Sequence, residues 1–456
     1  MKRTLAKYAA VCGGRLAGHD AEFAEVVIDS RQVRAGDLFL ALPGTRTDGH
    51  EFVSAAAAAG AVGAVVSRPV DAPLTQVLVA DVARALSLTG SAWRADFRGP
   101  VLGVAGSNGK TTTKEMLSLI LAQRGECLAT RGNLNNHLGV PLTLLRLHDG
   151  YHSAVIEMGA NRAGEVAELV QIAKPGVGLI TNAGAEHLEG FGSLEGVARA
   201  EGEMVAGLDA SGAAILNADD AFAPLWRKLT RARVVSFGLA AGADVRAVDV
   251  HLDVGAQGFQ TRFNLQCAGG ALPVALALAG RHNVYNALAA AAAAMAAGAT
   301  LPQVAAGLAA VRSVAGRLQF RPLPGGAWLI DDSYNANPSS ARAALEVLAE
   351  LPGRRWLVLG DMAELGRYAP ASHRELGILA RSLGVERLYA FGPLAALAAD
   401  SFGAGAERHS DIDALTRALG AALPNEVRLL VKGSRVNKLE RLVATLTGAP
   451  AARQAG

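Results

Sequence analysis

The sequence predicts an α/β protein of three domains. A small α/β unit comes first, then a P-loop-type central domain built on a mostly parallel sheet, then a doubly wound C-terminal unit. Three observations predict this. Short apolar runs alternate with helical patterns along most of the 456 residues. A glycine-rich loop at 106–109 follows one apolar run directly and opens a helical pattern. The chain is punctuated at Arg98-Gly99-Pro100 and at Gly316-Arg317, and at roughly 150 residues per domain its length suits three units. The expected boundaries are 1–82, 83–311 with a linking helix at 83–99, and 312–456.

In the first unit, apolar runs at 26–28, 38–42, 64–66 and 77–79 read as strands, with an Ala-rich helical segment at 52–59. A helical pattern over 82–97 leads into the second unit. There, candidate strands at 101–105, 153–157, 177–181 and 213–216 alternate with helices, and βα alternation is expected up to about residue 311. Ligands of such a sheet sit beyond the carboxyl ends of its strands. Lys110, Glu157, Asn182 and Asn217 all fall at or just after such ends. The third unit places strands at 328–330, 356–359, 387–391 and 428–431 and is Rossmann-like.

Composition narrows the function. Lys and Arg number 44 against 41 Asp and Glu, a net charge of +3, which carries no nucleic-acid signature. Three distant cysteines, Cys12, Cys127 and Cys267, form no metal-type spacing and suit a reducing cytoplasm. Lys7 and Gly13-Gly14-Arg15 interrupt the apolar N-terminal stretch, leaving no signal-peptide core. The alanine run at 287–299 is too short for a membrane span and reads as a buried helix, so the protein is expected not to be membrane-embedded.

The chemistry concentrates in Gly106-Ser107-Asn108-Gly109-Lys110-Thr111-Thr112. Small residues let backbone N–H groups approach phosphate oxygens, Lys110 can neutralise β/γ-phosphates, and Thr111 can ligate Mg²⁺. An acid at a strand end beside such a loop, Glu157, is placed to hold Mg²⁺. His187, in a polar loop after a strand, is a candidate second ligand, although a lone histidine is usually structural. The loop 131–137 carries three asparagines and His137, which equally suits a solvated turn. Ser30, Arg31, Thr45, Asp48, Gly49 and His50 supply donors for a diphosphate or sugar, against the alternative of ordinary loop polarity. Asp331 to Pro338 and Lys432-Gly433-Ser434-Arg435 follow two strands of one sheet and can converge on an anion, or simply cap helices.

With these segments in order, the chain resembles the ATP-dependent Mur ligases of peptidoglycan synthesis, over nearly its whole length. The most specific segments are the phosphate loop, Gly132-Asn133-Leu134-Asn135-Asn136-His137, Glu157-Met158-Gly159-Ala160, His187-Leu188-Glu189-Gly190-Phe191-Gly192 and Asp331-Asp332-Ser333-Tyr334-Asn335-Ala336-Asn337-Pro338. They resemble the branch that adds D-Ala-D-Ala. The resemblance implies an ATP- and Mg²⁺-dependent monomer acting on UDP-N-acetylmuramoyl-tripeptide and D-Ala-D-Ala through an acyl phosphate. It implies UDP contacts from Ser30, Arg31, Thr45, Asp48, Gly49 and His50, an adenine contact from Asn286, and ATP contacts from Arg317 and Asp332. Tyr334, Asn335, Asn337, Lys432, Ser434 and Arg435 would shape the dipeptide side, and Lys110, Glu157 and His187 would serve catalysis.

One position departs from the family. Many members carry a lysine fourteen residues after the metal-ligand histidine, carbamylated in some; here it is Glu201. Glu201 is expected to join Thr111, Glu157 and His187 as a metal ligand, although its carboxylate reaches roughly 3–4 Å less far than a carbamate. The alternative is a surface helix residue. The alternatives are a ligase of an earlier amino acid and a scaffold that has lost catalysis; the Asp48-Gly49-His50 region argues against a folylpolyglutamate synthase, which lacks the N-terminal UDP-binding domain.

Overall fold

The computed structural model describes residues 3–44, 47–255 and 258–448. Each alternating stretch of the sequence becomes one sheet. The first holds β1 (Arg15–Ala17), β2 (Val26–Val27), β3 (Leu38–Leu40), β4 (Gly63–Val66) and β5 (Thr75–Leu78) in the order β1-β5-β4-β3-β2, with only β1 antiparallel. The helix Val82–Asp96 then leaves this sheet, its first turn capped by Asp81. It buries Val82, Leu86 and Trp93 together with Leu5, Tyr8, Phe23, Leu142 and Leu145, tying the first domain to the second.

The central sheet comprises β6 (Val101–Ala105), β7 (Cys127–Ala129), β8 (Ser153–Glu157), β9 (Val177–Ile180), β10 (Ala213–Asn217), β11 (Arg233–Gly238), β12 (Val245–Gly255), β13 (Gly258–Cys267) and β14 (Gly270–Leu276). Its order is β14-β13-β12-β11-β10-β9-β6-β8-β7, parallel from β7 through to β12. Strand order reverses at β6, which opens the crevice where such sheets bind ligands. Every residue of β6, β8, β9 and β10 is buried, as expected of strands covered on both faces. The helix Arg281–Ala296 buries the whole run from Ala287 to Ala294, and among the described residues no helix is long and apolar enough to cross a membrane.

The expected βα alternation fails at 245–276. Here β12, β13 and β14 form an antiparallel meander with no intervening helix. Burial along β12 alternates, the signature of a strand with one wet face. This arm reaches the third domain, where Phe259 meets Phe320 edge-on at 5.8 Å and Phe320 meets Trp328 at 5.2 Å.

The C-terminal sheet contains β15 (Gln319–Pro322), β16 (Trp328–Asp332), β17 (Arg354–Gly360), β18 (Arg387–Phe391), β19 (Ala406–His409) and β20 (Val427–Lys432), ordered β15-β16-β20-β17-β18-β19 and parallel except for β15. Asp332 and Lys432 are register partners at the carboxyl ends of β16 and β20. The helix Pro338–Glu350 starts immediately beyond, with Asn337 as its N-cap and proline in its first turn.

Candidate active site

The phosphate loop leaves β6 with Gly106 at φ 119° and enters the helix Lys110–Leu121 through Gly109 at φ 84°. Both glycines are required by space as well as by backbone. A Cβ at Gly106 would lie 2.1 Å from Thr181 Oγ1, and one at Gly109 would lie 2.2 Å from Asn286 Oδ1. The loop is fastened from beneath. Ser107 N–H donates to Asn182 O (2.9 Å), and Thr181 Oγ1 and Asn182 Nδ2 both donate to Asn108 O (2.7 and 2.9 Å).

Lys110 is not the exposed loop lysine its neighbours suggest. Its Nζ donates to Gly106 O (2.5 Å), Ser107 O (3.1 Å) and Glu186 Oε1 (3.3 Å). Burial works against its charge, but Glu186, Glu201 and Glu157 outweigh that and hold the ammonium above the usual lysine range. Three carboxylates thus face one cation.

Glu157 ends β8 and is buried. Its Oε1 accepts from Thr111 Oγ1 (3.2 Å) and Asn135 Nδ2 (2.9 Å), while Oε2 is buried with no hydrogen-bond partner. A hydroxyl beside a carboxylate with an unused oxygen suits a hard divalent cation such as Mg²⁺. Thr112, one residue on, is half-buried on the same helix. His187 adopts φ 47°, and its Nδ1 lies 2.6 Å from Glu364 Oε2 in the C-terminal domain, leaving Nε2 as the ring atom available to a ligand.

Glu201 corrects the sequence expectation. It lies on the helix Leu194–Ala206, 4% exposed, and its Oε2 accepts the Gly106 N–H at 2.6 Å. It therefore braces the phosphate loop from behind and is not a surface residue. Among the described residues no group of three or more His, Cys, Asp or Glu side chains is arranged to hold a metal ion. Burial first, with Glu186 adding to it against Lys110, pushes its carboxyl up to about 7.

Asn286, expected to contact adenine, sits beneath the phosphate loop. It is buried, accepts from Thr113 Oγ1 (3.2 Å) and donates to Asn283 Oδ1 (3.0 Å), directly beneath Gly109. Its amide props the loop.

From the C-terminal domain, Arg317 Nη2 donates to Thr111 Oγ1 at 3.1 Å, and its guanidinium stacks 4.5 Å from the Tyr334 ring. Arg435 faces the same ring at 5.5 Å. Asp332 accepts from Leu318 N–H (3.1 Å) and from Lys432 Nζ (2.5 Å). Lys432 also donates to Asn335 O (3.0 Å), and Ser434 Oγ donates to Ala336 O (3.1 Å). Both are buried, so Lys432 and Ser434 shape the 332–337 loop from within, whereas Asn335 and Arg435 are exposed. Asn337, expected on the dipeptide side, donates its Nδ2 to Asn108 Oδ1 of the phosphate loop at 2.8 Å.

The N-terminal candidates are largely occupied with each other. Asp48 accepts from His50 N–H (3.0 Å), His50 Nδ1 (2.6 Å) and Arg68 Nη2 (2.8 Å), and these contacts hold its carboxyl well below the usual range. His50 Nε2 accepts the Ser67 N–H (2.9 Å), so this buried ring has no free nitrogen for a ligand and instead locks the loop. Gly49 crosses Leu42 so closely that a Cβ would lie 2.7 Å from its backbone. Arg31 is exposed and paired with Asp29, and Ser30 opens the same short turn. Thr45 lies outside the described residues.

Three residues escaped the sequence reading: Glu186, which holds Lys110; Glu364, which holds His187; and Ser339, whose hydroxyl accepts from Asn108 of the phosphate loop across the two domains at 2.9 Å. Glu186 had a signal, an acid beside the candidate histidine in a loop after a strand. The others meet only through tertiary structure.

Comparison with known proteins bears on this geometry. The Mur ligase middle domain matches residues 104–294, the Mur ligase glutamate ligase domain matches 316–435, and the Mur ligase family catalytic domain matches 22–124. A UDP-N-acetylmuramoyl-tripeptide–D-alanyl-D-alanine ligase of Escherichia coli K12 is 43% identical, over 97% of this chain and 98% of that protein. A crystal structure of MurF from Acinetobacter baumannii superimposes with a TM-score of 0.91 at 36% identity, covering 98% of this chain and 99% of that one. MurF from Thermotoga maritima in complex with ADP does so with a TM-score of 0.81 at 28% identity, covering 93% and 97%.

Proposed function

This chain belongs to the Mur ligase family, and we propose that it joins D-alanyl-D-alanine to UDP-N-acetylmuramoyl-tripeptide with cleavage of ATP to ADP and phosphate. Likeness over nearly the full length to ligases of that name supports the substrate pair. The observation that carries the ATP chemistry is the loop around Lys110, with Arg317 of the C-terminal domain reaching Thr111. In this assignment residues 1–82 hold the nucleotide sugar, 83–311 hold ATP, and 312–456 present the amine, in a cytoplasmic monomer.

A peptide carboxylate resists attack because its leaving group would be oxide. Its oxygen first takes the γ-phosphoryl group, releasing ADP and forming an acyl phosphate. The neutral amine of D-Ala-D-Ala then attacks the carbonyl carbon, phosphate leaves from the tetrahedral intermediate, and water or a base takes the amine proton. Lys110 offsets the repulsion between carboxylate and triphosphate as the loop N–H groups orient the phosphates. Arg317 brings a second cation to the same edge of the loop. Thr111 and Glu157 are the residues that would hold one Mg²⁺, and His187, oriented by Glu364, would hold another. Bound Mg²⁺ supplies neutralisation of the triphosphate charge. That need is plain, because three carboxylates already outnumber the ammonium at this site.

The test is phosphate release by the purified protein with UDP-N-acetylmuramoyl-tripeptides, with and without D-Ala-D-Ala. Turnover is expected only when both substrates are present. Equal turnover with a single amino acid such as D-Glu would reassign the enzyme. Parallel runs with lysine and meso-diaminopimelate tripeptides read out the third residue of the acceptor.

A further inference from the structure

Resting on the ligase reading above, we propose that Asn108, Asn337 and Ser339 form a latch that couples the shape of the phosphate loop, and hence nucleotide affinity, to docking of the C-terminal domain. The three side chains close a ring of hydrogen bonds. Asn337 Nδ2 donates to Asn108 Oδ1 (2.8 Å), Asn108 Nδ2 donates to Ser339 Oγ (2.9 Å), and Ser339 Oγ donates to Asn337 Oδ1 (3.0 Å). Each donor meets an acceptor, so the ring closes with no mismatched polarity.

Both ends of the ring are anchored. On one side, Asn337 Oδ1 also caps the helix Pro338–Glu350 by accepting the Ser340 N–H at 2.8 Å. On the other, the Asn108 carbonyl is fixed by Thr181 and Asn182, and its N–H donates to Asn182 Oδ1 at 3.1 Å. The ring therefore connects the first turn of a C-terminal helix to the loop whose backbone faces the phosphates. Space has been left for it: a Cβ on Gly184 would lie 2.7 Å from Asn108 Nδ2 and 2.8 Å from Ser339 Oγ.

Undocking the C-terminal domain breaks two of the three bonds and frees the Asn108 side chain, while the Thr181 and Asn182 contacts persist. The loop backbone is then held by Thr181 and Asn182 alone, so the binding-competent shape is less fully populated than in the docked state, and apparent nucleotide affinity falls by the share lost. By reciprocity, nucleotide favours the docked state to the same degree. Asn108 and Asn337 act as positioning residues through the loop backbone.

Asn337→Ser keeps a capping hydroxyl but lacks the reach and the second donor, and Asn108→Ala removes the partner without touching the cap. The probe is a non-hydrolysable ATP analogue with Mg²⁺, titrated calorimetrically into the full-length protein, with fluorescent labels on the central and C-terminal domains reporting their separation. Asn337→Ser, which loses one hydrogen bond between the domains, is expected to weaken the analogue about 2- to 10-fold, and Asn108→Ala, which loses two, at least as much. Each is also expected to lengthen the mean separation without analogue. The double variant is expected to be no weaker than the weaker single, because both remove the same contact. Unchanged affinity in both singles, or a double effect equal to their product, would overturn the latch. Should Asn337→Ser lower the melting temperature by more than a cap change allows, Asn108→Ala with Ser339→Ala carries the same comparison. Wild-type ligase turnover, measured in parallel, separates the two ideas: its absence would overturn the ligase reading and leave the binding result standing.

Discussion

Glu201→Gln should make the protein more stable, and the gain should grow with pH. The substitution keeps an oxygen to accept the Gly106 N–H and removes a buried charge. Glu201 titrates near 7 in the native protein against 4.5 for an unperturbed carboxyl. Its native pKa is raised, so the fold favours the protonated form. Stability is therefore highest below the unfolded value, declines from about pH 4.5, and has lost this contribution fully once pH exceeds 7. At 1.4 kcal/mol per tenfold, the ionised carboxylate costs the fold about 3 kcal/mol, and the gap between variant and wild type should widen by about 2 kcal/mol between pH 5 and pH 8. Backbone amide exchange over residues 194–206, corrected for intrinsic rates, measures it on the helix concerned. Protection at pH 8 should rise on the order of 100-fold or more in the variant, and only a few-fold at pH 5. An equal difference at both pH values, or a less stable variant at pH 8, would refute the placement of Glu201 as a buried, titrating brace.

Lys110→Ala should reduce turnover about 10²–10³-fold through lost phosphate stabilisation, and should also lower the melting temperature because Glu157, Glu186 and Glu201 lose their shared cation. A silent melting curve would refute the burial of that lysine. Glu157→Gln should raise the Mg²⁺ concentration for half-maximal rate by at least about tenfold, the lower end of what even outer-shell losses cause; an unchanged Mg²⁺ titration would remove Glu157 from the metal site. Gly106→Ala should abolish nucleotide binding in calorimetry and cost about 1–3 kcal/mol of stability, since its Cβ would stand 2.1 Å from Thr181 Oγ1. An alanine variant with wild-type affinity would show that the loop relaxes freely.

The parts legible in the sequence are those encoded locally. The strands 101–105, 153–157 and 387–391 match the expected limits, because a parallel strand covered on both faces has a continuous apolar centre and needs no context to be seen. The three-domain order follows from such runs and the breaks between them. The arm 245–276 was missed for the opposite reason. In Val245-Arg246-Ala247-Val248-Asp249-Val250 the apolar and polar residues nearly alternate, yet expectation followed the βα rhythm on either side. At the site, Lys110, Thr111 and Glu157 were readable because loop, helix start and strand end fix them within one motif or one neighbouring strand. What each side chain touches was not readable. Asn286 and His50 carry polar atoms that look ligand-ready, but the groups that donate to them, Thr113 Oγ1 and the Ser67 N–H, are set by how helices and loops pack. Glu201 shows the limit best: its distance from Gly106 along the chain conceals a 2.6 Å contact, and no pattern in the sequence announces it.

The antiparallel arm sets how the C-terminal domain can travel. That domain is joined to the rest by the chain near Gly316, and again where Phe259 packs on Phe320. The second attachment lies on β13, five strands from the phosphate loop, roughly 24 Å away at the usual strand spacing. A rigid body pinned at two points keeps one degree of freedom, a rotation about the line between them. While the aromatic pin holds, sliding and twisting are denied to this domain, and opening is a swing. The polar contacts across the cleft then need only arrest one angle, so a few neutral hydrogen bonds suffice to choose between open and shut.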